Sequence, residues 1–169
     1  VPFIGDGDLA LEHYSHARIF GADLDQNRVA TANKRLPGQS IIQADCDSWP
    51  FPDCDAVFDV ADFDAYCHPY RALRSFWDGA KKADEIVLFF TDGNPLSLKR
   101  DGHGEKPSGE ILKFGQGGTS KEMRHAYNFW PRKFARAGVE EIIRPYQVER
   151  FSMYLRYSIL YWGIVASHD

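Results

Sequence analysis

The sequence predicts an α/β protein with a doubly wound, mostly parallel sheet and an antiparallel hairpin at its C-terminal edge. Three observations carry this. Short apolar runs alternate with segments of helical spacing as far as Thr91. The run Ile86-Val87-Leu88-Phe89-Phe90 is apolar at every position, as a central parallel strand buried on both faces would be. The last two apolar runs follow one another with no helical segment between them, which suits an antiparallel edge pair.

In chain order, Val1–Ile4 is expected as a buried strand ending at a glycine, Asp8–Tyr14 as a short helix and Ala17–Asp23 as a second strand. Gln26–Leu36 has helical spacing at Val29, Ala32 and Leu36, with Asp25 as N-cap and Pro37-Gly38 as the stop. Ser40–Ala44 is a third strand, the proline-containing Asp47–Asp53 a loop, and Ala56–Ala61 a fourth strand. Pro69–Ala80 is a helix that turns Leu73, Phe76 and Trp77 inward, and Glu85–Thr91 is the fifth strand. Right-handed crossovers would join these parallel strands. The rhythm breaks over Asp92–Gly118, whose seven glycines predict a long loop of the lid or disordered kind. Ser120–Ala137 reads as a helix interrupted near Pro131 and closed by Gly138; Val139–Ile143, Val148–Leu155 and Ser158–Ala166 read as strands. No internal repeat is visible, and residues 1–169 are expected to form a single domain. The chain opens directly in a strand, so a leading helix is missing or the chain is a fragment.

A formal net charge of −4 disfavours nonspecific adherence to nucleic acid and favours a small substrate or a helper subunit. The odd set of Cys46, Cys54 and Cys67, without C-x-x-C spacing, reads as reduced thiols of a cytoplasmic protein. No signal peptide or membrane-spanning run is present: the longest apolar stretch, Tyr157 to Ala166, is too short to cross a bilayer.

The chemistry concentrates where strands end. Ile4-Gly5-Asp6-Gly7 places a glycine turn after the first run, Asp23 ends the second and Asp45 ends the third. In an open α/β sheet those ends line one crevice. Gly5, Gly7 and Ala10 fit the dinucleotide pattern G-x-G-x-x-G/A, with Asp23 near the expected acidic position. A pyrophosphate there would meet Asp6 and Asp8, and carboxylates about 4–6 Å from a dianion cost more than a helix dipole returns. A ligand with a ribose, an adenine amino group and a cationic tail reverses the sign, and S-adenosylmethionine is such a ligand. Asp23 would accept the ribose hydroxyls, Leu24 lies beside it, and Asp25 caps the helix. Asp45 would accept the adenine amino group, the Cys46 N–H would donate to the ring, and Trp49 with Phe51 would wall its face. A plain turn with capping acids and core aromatics is the alternative for each.

Together these residues resemble the class I S-adenosylmethionine-dependent methyltransferases, from Val1 to about Thr91. Ile4-Gly5-Asp6-Gly7 matches the glycine motif and Gly21-Ala22-Asp23-Leu24-Asp25 the ribose-binding segment. Gln43-Ala44-Asp45 with Trp49-Pro50-Phe51-Pro52-Asp53 matches the adenine-contacting segment. Phe3 stands where many members carry an acid, and Leu9 replaces the third glycine. The resemblance implies a Rossmann-like fold with S-adenosylmethionine as cofactor. Asp62-Phe63-Asp64-Ala65-Tyr66 is then similar to the acceptor signature of amino-methylating members, including the tRNA guanine-N2 methyltransferases, with Ala65 and Cys67-His68 as departures. Leu112-Lys113-Phe114-Gly115 loosely resembles a later segment of those enzymes.

Asp62, Asp64 and Tyr66 alternate, so in an extended segment they share a face. A carboxylate pair beside an aromatic platform suits an amino nitrogen on a flat ring presented to a methyl group. That makes Asp62, Asp64 and Tyr66 the candidate catalytic residues, with a nucleic-acid base or a small molecule as acceptor; solvated loop acids and a packing tyrosine are the alternative. His68 reads as an incidental loop histidine. Asp101, His103 and Glu105 lack a second half of a ligand set, so no metal is expected. Lys99, Arg100, Lys106, Lys113, Lys121 and Arg124 would meet phosphates or keep a loop soluble. The competing class of function is a non-catalytic nucleotide-binding or partner-binding module that kept the fold.

Overall fold

The computed structural model describes residues 3–65, 68–114 and 121–168. Helix α1 (Asp8–Tyr14) leads to strand β1 (Phe20–Asp23), helix α2 (Gln26–Arg35) and strand β2 (Ser40–Gln43). β1 and β2 pair in parallel, Phe20 opposite Ser40. Asp25 caps α2 as expected, its carboxylate accepting the Asn27 N–H at 2.8 Å. Val29 and Ala32 turn inward against Ile4, Ala10, Ile19 and Ile41 in a small apolar cluster.

Strand β3 (Val57–Phe63) and strand β4 (Lys81–Asp92) pair in parallel across helix α3 (Tyr70–Gly79). The C-terminal strands β7 (Gln147–Arg156) and β8 (Ile159–Ser167) form the expected antiparallel hairpin, and the ladder order is β3-β4-β8-β7. Phe20 of β1 meets Phe58 of β3 edge-on at 5.3 Å, which ties the two ladders through one aromatic cluster. Tyr70, Leu73, Phe76 and Trp77 of α3 form a stripe that buries against Ile86, Leu88 and Phe90 of β4 and Trp162 and Ile164 of β8.

β4 departs from the expected double-sided burial. Ile86 and Leu88 are fully buried, but Phe89 is 41% exposed, so among the described residues only one face is covered at that position.

Several boundaries move. Residues 1 and 2 of the expected first strand lie outside the described residues; Phe3 has φ 60° and Ile4 is irregular. The Phe3 N–H goes to the Cys46 thiol at 3.3 Å instead of a ladder carbonyl, though the Ile4 N–H still reaches the Ala22 carbonyl at 3.0 Å. β1 starts only at Phe20, because the Ala17 N–H closes a turn onto the Tyr14 carbonyl at 2.9 Å. β3 runs on to Phe63, so Asp62 belongs to the strand.

The glycine-rich stretch contains helix α4 (Asn94–Asp101) and a small hairpin of β5 (His103–Glu105) and β6 (Ile111–Lys113). Pro95 in the first turn and Gly102 at φ 68° bound α4, the usual asymmetry of helix ends. Helix α5 (Lys121–Phe129) continues through a π-helical segment, Trp130–Arg136, into helix α6 (Ala137–Ile142). Gly138 therefore lies inside a helix, and the strand expected over 139–143 is α6. Val139 and Ile143 are both buried, and a four-residue interval is helical. No helix among the described residues is long and apolar enough to cross a membrane.

Candidate active site

The site starts at the glycine turn between Ile4 and α1. Gly5 and Gly7 adopt φ 57° and 81°, a region that favours residues without Cβ. A Cβ on Gly7 would lie 3.2 Å from both the Ala32 Cβ and the Leu36 Cδ1, so this glycine lets the turn pack on α2. A Cβ on Gly5 would meet nothing within 4 Å, so Gly5 borders open space. Arg35 pins the turn from α2, donating to the Asp6 carbonyl at 3.2 Å and to the Asp8 carboxylate. Asp8 is thus ion-paired, and Asp6 carries the exposed negative charge of the turn.

Asp23 closes the turn from the end of β1. Its Oδ2 accepts the Gly5 N–H at 3.1 Å and its Oδ1 accepts the Asp25 N–H at 2.9 Å. Each carboxylate oxygen has two acceptor sites, so one per oxygen is left for a ligand hydroxyl pair. The division of labour between Asp23 and Asp25 follows: one holds the turn, the other caps α2.

A cleft of about 620 Å³ opens here. Phe3, Ile4, Gly5, Asp6, Asp8, Leu9, Asp23, Leu24 and Cys46 line it from the glycine turn and β1 side. Asp64, Ala65, Thr91, Gly93, Leu96, Ser97 and Arg100 line it from the ends of β3 and β4 and from α4. The carboxylates of Asp6, Asp23 and Asp64 outnumber the cations of Arg28 and Arg100, and Arg28 stands 4.0 Å from Asp25. Cys46 sits under the turn with its thiol pushed up to about 11, mainly by burial, and so stays protonated.

Three expected positions fall elsewhere. Trp49 does not line the cleft: its ring meets Phe51, Phe58 and Phe76, each at 5.6 Å, in the aromatic cluster beneath the sheet. Asp45 is exposed beside the cleft, and its Oδ1 accepts the Asp47 N–H at 2.9 Å in a local turn. Asp62 and Asp64 do not converge. Asp64 faces the cleft, whereas Asp62 lines a neighbouring cavity with His13 and Tyr14 and accepts the Tyr14 hydroxyl at 2.9 Å. β3 is paired to β4 through Phe63, so strand alternation fixes Asp62 before the chain leaves the sheet. Burial raises the Asp62 carboxyl above its ordinary range, with the Asp64 charge adding to it and the Tyr14 bond opposing it. Tyr66 lies outside the described residues.

The α4 wall was hidden in the glycine-rich stretch, and its signal was Asn94-Pro95 followed by Gly102. The buried Asp92 carboxylate accepts the Asn94 N–H at 2.9 Å, the Asn94 Nδ2 at 2.8 Å, the Trp130 Nε1 at 2.8 Å and the Tyr70 hydroxyl. Asn94 Oδ1 accepts the Glu105 N–H at 2.7 Å, and Glu105 is held by Arg71 at 3.0 Å. These bonds fasten α4 to α3, the π-helical segment and β5. Asp101 pairs with Arg100 and Glu105 with Arg71.

Residues 4–83 match the family model described as a methyltransferase domain. The trans-aconitate 2-methyltransferase of Rhizobium etli is 29% identical over 102 residues, which cover 57% of this chain and 40% of that protein. The trans-aconitate 2-methyltransferase of Rhizobium leguminosarum bv. trifolii is 39% identical over 94 residues, 54% of this chain and 37% of that protein. The chain thus spans about two fifths of the length of these curated relatives. Among solved structures, TrmN from Thermus thermophilus superposes with a TM-score of 0.58 at 14% identity, covering 99% of this chain and 42% of that one. An S-adenosylmethionine-dependent methyltransferase from Mesorhizobium loti does so with a TM-score of 0.56 at 12% identity, covering 99% and 89%. Residues 4–83 thus resemble the methyltransferase-domain family, and the fold of the chain is that of solved S-adenosylmethionine-dependent methyltransferases.

Proposed function

We infer that the chain binds S-adenosylmethionine in this cleft and directs its methyl group to a small molecule, with a carboxylate oxygen as the acceptor atom. The observation that carries the cofactor reading is the Gly5–Asp23 bond beside open space, in a cleft whose charge is mainly acidic. Asp23 keeps acceptor capacity for two ribose hydroxyls. The Asp6 and Asp64 carboxylates favour a cationic tail, and the Gly5 backbone permits close approach.

The acceptor reading draws on the relatives' names, which specify a tricarboxylic acid, and on the separation of Asp62 from Asp64. Asp64 lines the cleft and Asp62 the neighbouring cavity, so among the described residues the two carboxylates do not face one acceptor position together. A carboxylate nucleophile is already ionised near neutral pH and needs no base. Bound here, the cofactor would supply a methyl on sulfonium sulfur; an acceptor oxygen forms the new O–C bond as the C–S bond breaks, and the electron pair returns to sulfur. The chain would align the two partners at about 3–3.5 Å. An amino-nitrogen acceptor is the second reading, favoured by Asp64 at the cleft edge.

Methyl-labelled S-adenosylmethionine offered with trans-aconitate and with adenosine separates the two. Transfer of label to trans-aconitate as a base-labile ester is expected. Base-stable label on adenosine would establish the amino reading instead, and cofactor binding without transfer to either would leave a binding module.

A further inference from the structure

We propose that Arg100 forms an anion subsite in the cleft, with Ser97 beside it, that holds a carboxylate of the methyl acceptor. The assignment rests on the reading of the cleft as the S-adenosylmethionine site and adds to it the group that recognises the second substrate.

The first argument is the build of α4. Its buried face carries Asn94, Pro95 and Leu98, and Leu98 has no exposure. Leu96, Ser97 and Arg100 line the cleft. At 100° per residue these two sets fall on opposite sides of one helix. The buried face is fastened by the Asp92 bonds to Asn94, Trp130 and Tyr70 and by the Asn94–Glu105 bond. The cleft face is therefore a rigid wall, and a cation in its last turn has a defined base.

The second argument is charge. The glycine turn and β1 bring Asp6, Asp8 and Asp23 to the cleft, and Asp64 stands at the end of β3. An anionic acceptor needs a countercharge. Arg28 is beside Asp25 at the start of α2, next to Asp23. Arg100 comes from the other wall, where Thr91, Gly93 and Ser97 also reach the cleft.

The third argument is the contact between Arg100 and Asp101. Its guanidinium contacts the Asp101 carboxylate through Nε at 2.9 Å and Nη2 at 2.8 Å. The Arg100 side chain is 68% exposed, and ion pairs at such exposure contribute little. A guanidinium matches a carboxylate with two parallel N–H bonds, so an incoming carboxylate can take the place of Asp101 at small cost. Asp101 then acts as a competitor that screens the subsite until substrate arrives.

The test uses the chain loaded with S-adenosylhomocysteine and titrated calorimetrically with propane-1,2,3-tricarboxylate or its uncharged triamide. The tricarboxylate is expected to bind and the triamide not to. Arg100→Gln is expected to weaken tricarboxylate binding about 10- to 100-fold, the usual worth of a charge-assisted bond, while S-adenosylhomocysteine affinity stays within about twofold. Arg100→Lys is expected to recover part of the loss. Asp101→Asn is expected to tighten binding, which a merely structural role for Arg100 would not produce. Equal affinity of wild type and Arg100→Gln, equal affinity for the triamide, or no tricarboxylate binding to the loaded protein would overturn the proposal. Failure of S-adenosylhomocysteine to bind at all would instead overturn the cofactor reading beneath it.

Discussion

At the scale of single residues, the acids divide by what their neighbours donate. Asp23 takes two backbone N–H groups and keeps capacity for a ligand; Asp25 takes one and caps α2; Asp92 takes four donors and is sealed in the core. Asp62 has the Tyr14 hydroxyl, and its carboxyl is held above the usual value of 3.8, first by burial. A carboxyl raised on folding binds its proton more tightly in the native state. Its favourable contribution is complete below the unfolded pKa and disappears as pH rises through the folded one. The Asp62→Asn protein does not ionise there and can still accept from Tyr14. Relative to wild type it is expected to gain stability as pH rises from 4 to 7, read from urea midpoints at both values. Parallel profiles would show that Asp62 ionises as freely folded as unfolded. In the sequence, Asp23 and Asp25 were readable because both stand at a strand end before a helix. The partners of Asp62 and Asp92 were not, since Tyr14 and Trp130 are remote in sequence and only packing brings them near.

At the scale of elements, periodicity recovered α1 with its boundaries, α2, α3 and the β7–β8 hairpin. It failed where the glycine content of 92–118 obscured a short helix. It failed again at 139–143, where apolar residues in a five-residue run fit a strand and a helical turn equally well. The hairpin also carries a strained element. Tyr157 and Ser158 have φ 52° and 62°, the left-handed pair that a two-residue turn between twisted strands requires. Tyrosine resists that region, and Tyr157 is 82% exposed, so little packing compensates. Tyr157→Asn is expected to raise stability by about 0.5–1 kcal/mol, seen as a higher thermal midpoint. An unchanged or lower midpoint would show that the Arg156 guanidinium, 5.1 Å over the Tyr157 ring, outweighs the strain.

At the scale of the whole molecule, one geometric fact organises the rest. The glycine turn, the end of β1, the ends of β3 and β4 and the cleft side of α4 converge on one cavity, as an open α/β sheet brings its strand ends to one edge. The edge as a candidate site was legible in Gly5, Gly7 and Asp23, of which Gly5 and Asp23 line the cleft. Its far wall was not, and neither was the displacement of Trp49 into the aromatic cluster, because aromatic residues beside a cleft and beneath it look alike in a sequence. Calorimetric titration of S-adenosylhomocysteine into the wild-type and Asp23→Ala proteins tests the cofactor assignment most directly. Wild type is expected to bind, and loss of the carboxylate to weaken binding at least tenfold, by removing both the hydroxyl acceptor and the latch on Gly5. Equal affinities in the two proteins, or binding of NAD in place of the thioether ligand, would contradict it.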